Sequence, residues 1–532
     1  MKEVTSWLEV QKEIVRKQEF IAEIEVKTVT LTRLGGYKAT PYSLDFKLFT
    51  EVNSKALKGV WRWWARTAII GAYDGLIDYK KAEEILSELL GGTGEGKGIS
   101  SFRLEVSDIQ FPRNYEAELT RIYKAIDDFY EGAKNFLVNQ EPKLKSFLPR
   151  GTSISISLNP SNPALTIEHE KAPLRTHLKR IENIVEGRPL GKFFPGTPLV
   201  KRGNKRVTVS FKIPELNAYP KIPRVKLLLM PRKEETDRLQ WNNIDSNEVR
   251  RYLKRIKEEI STLISKGLRF KISLYGDREG RKVDFVLSSF LLSLILGGIG
   301  SLTKRAFGSL QLLSFKFGEN LEIDDEIVKI FNDFKVKPFT SEELENTLKR
   351  LCEITIAYAK KLFKVKEVHE THYRTPKVPS LSNIKIKVIE CPSCNLTDIG
   401  RAFTKEAWKS PSNTKESGRN LHTWILGLPR WQGKTRTGYT IEKDGEDAKR
   451  RISSISARCF RSGNRNFIIL FGLLSQDWPI DELLHVRGRG QKPIKKKVKE
   501  IEIRQKPSVT GASLNDVFEV AFSEVSKRVC RK

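Results

Sequence analysis

The chain has 532 residues, with 95 Lys plus Arg against 65 Asp plus Glu, a net charge of +30 and a pI near 9.7. That length supports at least two domains with cores of their own, and the charge selects polyanionic partners, phosphate backbones first. Five cysteines exclude a disulfide-scaffolded secreted domain; the most apolar run, Phe285 to Leu296, is serine-interrupted and far short of the roughly 20 residues of a membrane crossing. With no signal-peptide pattern in Met1-Lys-Glu-Val-Thr-Ser-Trp7, a soluble cytoplasmic protein is expected.

Phe20 to Leu31 alternates as a half-buried strand, with Ile24 and Val26 on one face and Glu23, Glu25 and Lys27 on the other. After a Gly35-Gly36 turn, a helix is predicted over Lys55 to Ala72. On a 100° wheel Leu57, Val60, Trp61, Trp64 and Ala68 share the core side. Lys55, Lys58, Arg62 and Arg66 gather within a quadrant of the other side, with no acid between Asn53 and Tyr73. Solvated helix faces usually mix signs, so this stripe is read as a phosphate-contacting face. Trp61 and Trp64 are expected in the core. Trp63 lies off that face and is a candidate for base stacking. A glycine loop, Gly91-Gly-Thr-Gly-Glu-Gly-Lys-Gly98, then carries Lys97 into a strand over Ile99 to Val106.

Thr152 to Leu158 and Val207 to Ile213 alternate as strands around a polar stretch, Pro160 to Pro198, and a charged helix is expected from Asn247 to Lys266. The first pattern then recurs. A strand over Leu268 to Tyr275 precedes a helix over Val283 to Leu296. The loop Gly297-Gly-Ile-Gly-Ser-Leu-Thr-Lys-Arg-Ala-Phe-Gly308 follows, then a strand over Ser309 to Phe317. Beyond it lie a helix near Glu342 to Phe363 and a hairpin of Arg451 to Phe460 with Phe467 to Leu474 across Ser462-Gly463-Asn464. Strands alternating with helices predict an α/β or α+β sandwich used twice.

Gly91 to Lys97 matches the first seven positions of a nucleotide-binding P-loop, but Gly98 replaces the Mg²⁺-holding Ser or Thr. The order of elements is also reversed, because a helix precedes each loop and a strand follows, so no helix N-terminus receives a phosphate. What remains is bare backbone beside Lys97 in the first loop and Lys304-Arg305 in the second, a surface that a nucleic-acid backbone can approach closely. The other reading of these glycines is tight connection alone. Arg430, Trp431, Lys434 and Arg436 around Gly433 combine cation, aromatic and flexibility in a way that suits single-stranded RNA.

The helix Leu57-Lys-Gly-Val-Trp-Arg-Trp-Trp-Ala-Arg66, the glycine loop after it, Gly297-Gly-Ile-Gly300 to Leu310, and Leu426-Gly-Leu-Pro-Arg430 resemble the repeat-associated mysterious protein (RAMP) superfamily of CRISPR systems. Within it they are most like the family of first-numbered RAMP subunits of the type III-B Cmr effector complex. The resemblance implies an α+β fold of tandem ferredoxin-like, RRM-related domains, a first over 1–215 with an insertion and a second over 216–532 interrupted at about 318–418. It implies a non-catalytic subunit that holds the 3′ part of the CRISPR RNA, helps capture complementary target RNA in antiviral defence, and has other Cmr subunits as partners. By position, Lys58, Arg62 and Arg66 would meet RNA from the first module, and Gly297, Gly298, Gly300, Lys304 and Arg305 from the second. The second loop's Ser301-Leu302-Thr303 is less basic than the family pattern.

Two alternatives stay open. His369-x-x-His372 and Cys391-x-x-Cys394 have spacings that can close a structural tetrahedral Zn²⁺ site, or the cysteines can stay reduced or form a disulfide. A zinc-bearing RNA-binding module is therefore one rival. The other is a RAMP-type endoribonuclease that processes CRISPR repeat RNA, for which His422 or His177 would be the general base; no other catalytic constellation is legible.

Overall fold

In a computed structural model, the residues described are 18–34, 52–92, 100–157, 164–186, 199–210, 238–239, six positions between 247 and 257, 263–264, 266–365, 375–403, 423–427, 430–432, 437–443, 446–447, 453–478, 483–487, 494–497 and 514–530. They fall into two compact units. One is drawn from residues 1–34, 51–111 and 265–532, the other from 35–50 and 112–264.

The larger unit opens with β1 (Glu19–Thr28), α1 (Ser54–Ala72), α2 (Tyr79–Leu90) and β2 (Phe102–Gln110). After the second unit the chain returns as β3 (Arg269–Gly276), α3 (Gly280–Leu292) and β4 (Leu310–Phe317). The four strands make one antiparallel sheet in the order β4-β1-β3-β2. Fourth, first, third, second is the order of a single ferredoxin-like β-α-β-β-α-β fold. The two strand-helix-loop-strand passes are thus two halves of one domain, where the sequence pattern assigned them to two. The expected boundary at 215 falls inside the second unit. Pairing supplies the reason: β1 sits between β3 and β4, with Ile24 opposite Ile272 on one side and Phe315 on the other. Neither half could close its sheet alone.

Alternation in β1 holds, with Ala22, Ile24 and Val26 buried and Glu23, Glu25 and Lys27 partly exposed. Phe270, Ile272 and Leu274 of β3 extend the same face. Onto it pack α1 and α3. Asn53 caps α1 by accepting from the Lys55 N–H at 2.8 Å. Leu57, Trp61, Trp64 and Ala68 are buried as expected, while Val60 is half-buried. Trp61 donates to Ser289 Oγ at 2.9 Å and meets Phe290 edge-on at 5.3 Å, which fixes α1 against α3. Every residue of α3 from Val283 onward is buried. Its hydroxyls are satisfied locally: Ser288, Ser289 and Ser293 donate to the carbonyls of Phe285, Val286 and Phe290. A π-turn over Ser293–Gly297 then unwinds the helix into the second glycine loop.

The segment expected as an insertion continues the architecture. It contains α4 (Asp325–Val336), α5 (Ser341–Leu362), β5 (Lys385–Cys391) and α6 (Leu396–Ala402). Thr340 and Glu343 form a reciprocal capping box at the start of α5, and α5 packs against α1, α3 and β5. The predicted hairpin is present as β6 (Ile455–Ser462) and β7 (Arg465–Gly472), turning at Gly463 with φ 58°. The order β5-β7-β6, with α6 after β5 and α7 (Leu514–Ser526) after the hairpin, repeats the ferredoxin-like order without its last strand. Strands Arg430–Gln432, Thr437–Lys443, Leu483–Arg487 and Ile494–Lys497 pair into a further antiparallel sheet. The fold class is therefore α+β, with tandem ferredoxin-like modules and inserted elements.

The second unit stands on its own core. A long helix, Tyr115–Lys145, supplies Ile122, Ile126 and Phe129. These pack with Ile154, Leu165, Ile167, Val207 and Val209 from strands Ser153–Ser157, Ala164–Glu168 and Arg206–Ser210 of a five-stranded sheet. None of the described helices of either unit is long and apolar enough to cross a membrane.

Candidate nucleic-acid interface

The basic stripe of α1 meets an acid that its own helix does not carry. Glu83 of α2 pairs with Arg62 and, at 3.1 Å, with Arg66. Arg62 also donates to the carbonyls of Leu90 at 2.9 Å and Gly91, and the Arg66 guanidinium lies 5.0 Å from the centre of the Tyr79 ring. Lys58 Nζ donates to Ser100 Oγ at 2.6 Å and to the Phe102 carbonyl at 3.1 Å. Burial, helped by the neighbouring Arg62 charge, pulls this ammonium down to about 8. Three of the four predicted phosphate contacts are thus joints between α1, α2 and the start of β2. Only Lys55 stands exposed at the helix start. The linear reading misses this because Glu83 lies 17 residues beyond Arg66. Lys97 lies outside the described residues.

The second glycine loop is crowded by protein. A Cβ on Gly297 would stand 2.5 Å from Val60 Cγ1 and 3.0 Å from Trp64 Nε1. Gly298 (φ 68°) and Gly300 (φ 79°) would collide with the carbonyls of Gly308 and Arg33. At these positions glycine serves tight connection, the second of the two readings. Arg305, expected to meet RNA, is buried: it stacks 3.7 Å over the Phe403 ring centre and donates to the Leu426 carbonyl at 3.1 Å.

Lys304 and Trp63 do come together. The Lys304 ammonium lies 5.9 Å from the Trp63 ring centre and donates to the Ser453 carbonyl at 2.7 Å. Both line a cavity of about 500 Å³ between α1, the second glycine loop and the β6–β7 hairpin. Gly59, Tyr79, Ser456, Arg458 and Phe471 also line it, and no Asp or Glu does among the described residues. Half-buried Trp63, held edge-on against Trp64 at 5.0 Å, matches its expected place off the core face.

Arg458 was missed by sequence reasoning. It is 3% exposed, in the middle of a strand buried at every position but Arg461. Its guanidinium donates to the carbonyls of Thr303, Ala457 (2.8 Å) and Gly297 (2.5 Å), tying both arms of the glycine loop to β6. Nε is buried without a partner among the described residues. Burial lowers the group to about 9, and no carboxylate offsets the cost. The signal was available: an arginine inside Ile455-Ser-Ala-Arg-Cys-Phe460 is anomalous for a core strand.

The remaining predicted sites do not join this wall. Arg430 and Trp431 lie on a short strand paired with Thr437–Tyr439, and Lys434 and Arg436 fall outside the described residues. The cysteine pair is divided. Cys391 is bonded to Cys530 of the C-terminal segment, with 5.9 Å between Cα atoms, whereas Cys394 touches Cys459 and donates to the Phe467 carbonyl at 3.5 Å. A disulfide-bonded sulfur is no metal ligand, and no three His, Cys, Asp or Glu gather around a cation position among the described residues. His369, His372 and His422 lie outside those residues. His177, in the second unit, stacks near Phe147 at 6.2 Å.

Comparison with known proteins bears on this geometry. The family model of the RAMP superfamily matches residues 25–311, more than half of the chain, from the end of β1 to the start of β4. The chain belongs to the RAMP superfamily. Among solved structures, a chain of the cryo-EM structure of the type III-B Cmr-beta bound to cognate target RNA and AMPPnP, in the presence of single-stranded DNA, is similar in fold. It has a TM-score of 0.51 and 16% identity over 96% of this chain and 100% of that one. A second Cmr-beta structure bound to cognate target RNA gives 0.48 and 18% over 86% and 94%, and apo Cmr1 from Pyrococcus furiosus gives 0.38 and 13% over 92% and 97%. No curated protein matches by sequence.

Proposed function

We propose that this RAMP protein is a non-catalytic RNA-binding subunit of a type III-B CRISPR effector of the Cmr kind. In this reading it holds the 3′ part of the guide RNA and helps capture complementary target RNA. The observation that carries the proposal is the match in fold over the full length of a chain from a target-bound Cmr-beta complex. The +30 charge and the cavity wall where Trp63 and Lys304 meet support it from this chain's own chemistry.

Recovery of RNA from the native assembly tests the proposal. The tagged chain, isolated from its host, is expected to bring down spacer-derived guides and further effector subunits. Recovery without guides would overturn the assignment. Site-specific cleavage of repeat RNA by the purified chain, without metal, would favour the endoribonuclease instead.

A further inference from the structure

We propose that the second unit binds the sugar-phosphate backbone of RNA on a basic surface of its own, where Arg150, Lys171, Arg175, Lys179, Arg180 and Lys205 gather at one end of its five-stranded sheet. The inference goes beyond the cavity at α1 and rests on the RNA-binding reading for the choice of polyanion.

Chain order keeps these cations apart, and the fold gathers them. Arg150 leads into strand Ser153–Ser157, whose first residue pairs with Glu168 at the end of strand Ala164–Glu168. Glu168 pairs in turn with Arg206, the residue after the hairpin tip Gly203-Asn204-Lys205. Hydrogen bonds tie the three segments together. The His169 ring donates from Nε2 to the Arg150 carbonyl at 2.9 Å, and Nδ1 accepts from the N–H groups of Lys171 at 3.0 Å and Ala172 at 2.7 Å. The His169 N–H donates to the Lys205 carbonyl at 3.0 Å, and the Leu174 N–H to the Asn204 carbonyl at 2.7 Å. Lys205 Nζ reaches the Glu170 carbonyl at 3.0 Å. Arg175, Lys179 and Arg180 follow on the turn Arg175–His177 and the helix Leu178–Glu186.

All six of these residues are exposed, and none forms an ion pair with an acid among the described residues. Exposure separates them from the α1 stripe, whose arginines and Lys58 are turned into joints. Nearby cations of the same unit are neutralised: Lys257 by Asp127 at 2.6 Å, Lys145 by Glu141 at 2.6 Å and Arg206 by Glu168 at 4.0 Å. A gathering of like charges raises the energy of the compact state, and an external polyanion removes that cost. Because its segments are tied, the surface is presented without the ordering penalty of a flexible tail. Phe147 favours nucleic acid among polyanions. It is half-buried, with the Arg180 guanidinium 5.8 Å over its ring and His177 6.2 Å away. An aromatic ring beside cations suits a strand that offers both phosphates and bases.

The test uses the purified full chain and a single-stranded RNA of roughly 30 nucleotides, titrated over a range of salt concentrations. Lys171→Ala, Arg175→Ala and Lys179→Ala combined should weaken binding about tenfold at low salt. They should also lower the salt slope by about 2, at about 0.7 for each lost phosphate contact. The charge-conserving set Lys171→Arg, Arg175→Lys and Lys179→Arg should bind as the wild type does, with thermal midpoints of both variants reported alongside to establish folding. An unchanged affinity and slope in the alanine variant would overturn the surface and leave the RNA-binding reading standing. A loss that the charge-conserving set repeats would overturn it too, because charge would not then be its cause. Poly-glutamate that competes as well as the RNA, or phosphatidylglycerol vesicles bound through these residues in place of RNA, would overturn RNA as the partner. Surface-dependent RNA binding by a chain whose native assembly carries no guides would keep the surface and remove the guide-holding function.

Discussion

Two clusters of cations stand beside α1, and the protein engages them in different ways. On one flank Arg62 and Arg66 share Glu83, and Lys58 is consumed by Ser100 and Phe102. On the other, Lys304 donates to the Ser453 carbonyl beside the Trp63 indole, and Arg458 donates to the carbonyls of Thr303, Ala457 and Gly297. In the first cluster one acid serves two guanidiniums and neutral acceptors hold the lysine, so the three side chains join α1 to α2 and to the start of β2. What a cation does is set by the acceptors around it in space, not by the number of cations in a stripe.

The largest test of this contrast concerns α1 as a scaffold. Trp61 joins α1 to α3 through Ser289 and Phe290 and is fully buried. Trp61→Ala should cost about 3–5 kcal/mol in denaturant unfolding. A loss below about 1 kcal/mol would mean that the α1–α3 contact is dispensable, and with it the idea that α1 is held rigid for both flanks.

A smaller effect distinguishes the flanks directly. Replacing Arg62 and Arg66 together by Ala breaks the joint to α2 and should lower stability by about 1 kcal/mol, since both side chains keep some solvent access. It should leave the salt dependence of single-stranded RNA binding unchanged. Lys304→Ala should do the opposite, lowering the salt slope by about 0.7, one phosphate's worth, with stability shifted by no more than about 0.5 kcal/mol. A slope that falls for the double variant and stays for Lys304→Ala would reverse the assignment of the two flanks.

Much of the first fold was legible because its signals are local. Strand alternation in β1, the α1 core face and the hairpin at Gly463 all follow from period and turn chemistry. The division into domains was not legible, because β1 is joined to β3 across about 240 intervening residues, and one repeated pattern describes two domains or two halves of one equally well. The candidate site was half visible. Trp63 and Lys304 were singled out separately, and nothing in linear order brings residue 63 beside residue 304. Arg458 required knowing that its strand lies behind the glycine loop. The wheel likewise cannot display Glu83, which comes from the next helix and pairs with Arg62 and Arg66.

The smallest effect sharpens the account of the joint by its pH dependence. Burial beside Arg62 holds the Lys58 ammonium at about 8, below the value near 10.4 of an unfolded chain. Between those values the unfolded chain binds more protons, so stability rises with pH across that window. Below about 8 both states are protonated and the penalty is present in full. Arg458, lowered to about 9, contributes with the same sign, and the raised Cys352 thiol opposes it. The useful quantity is therefore the difference between the wild-type chain and Lys58→Met, measured by urea unfolding at pH 7, 8, 9 and 10. That difference should move towards the wild type as pH rises, by about 1 kcal/mol or less once partial exposure is discounted. A difference that stays flat would mean that Lys58 keeps an ordinary, hydrated ammonium, and the lysine would then return to the set of residues able to meet a phosphate.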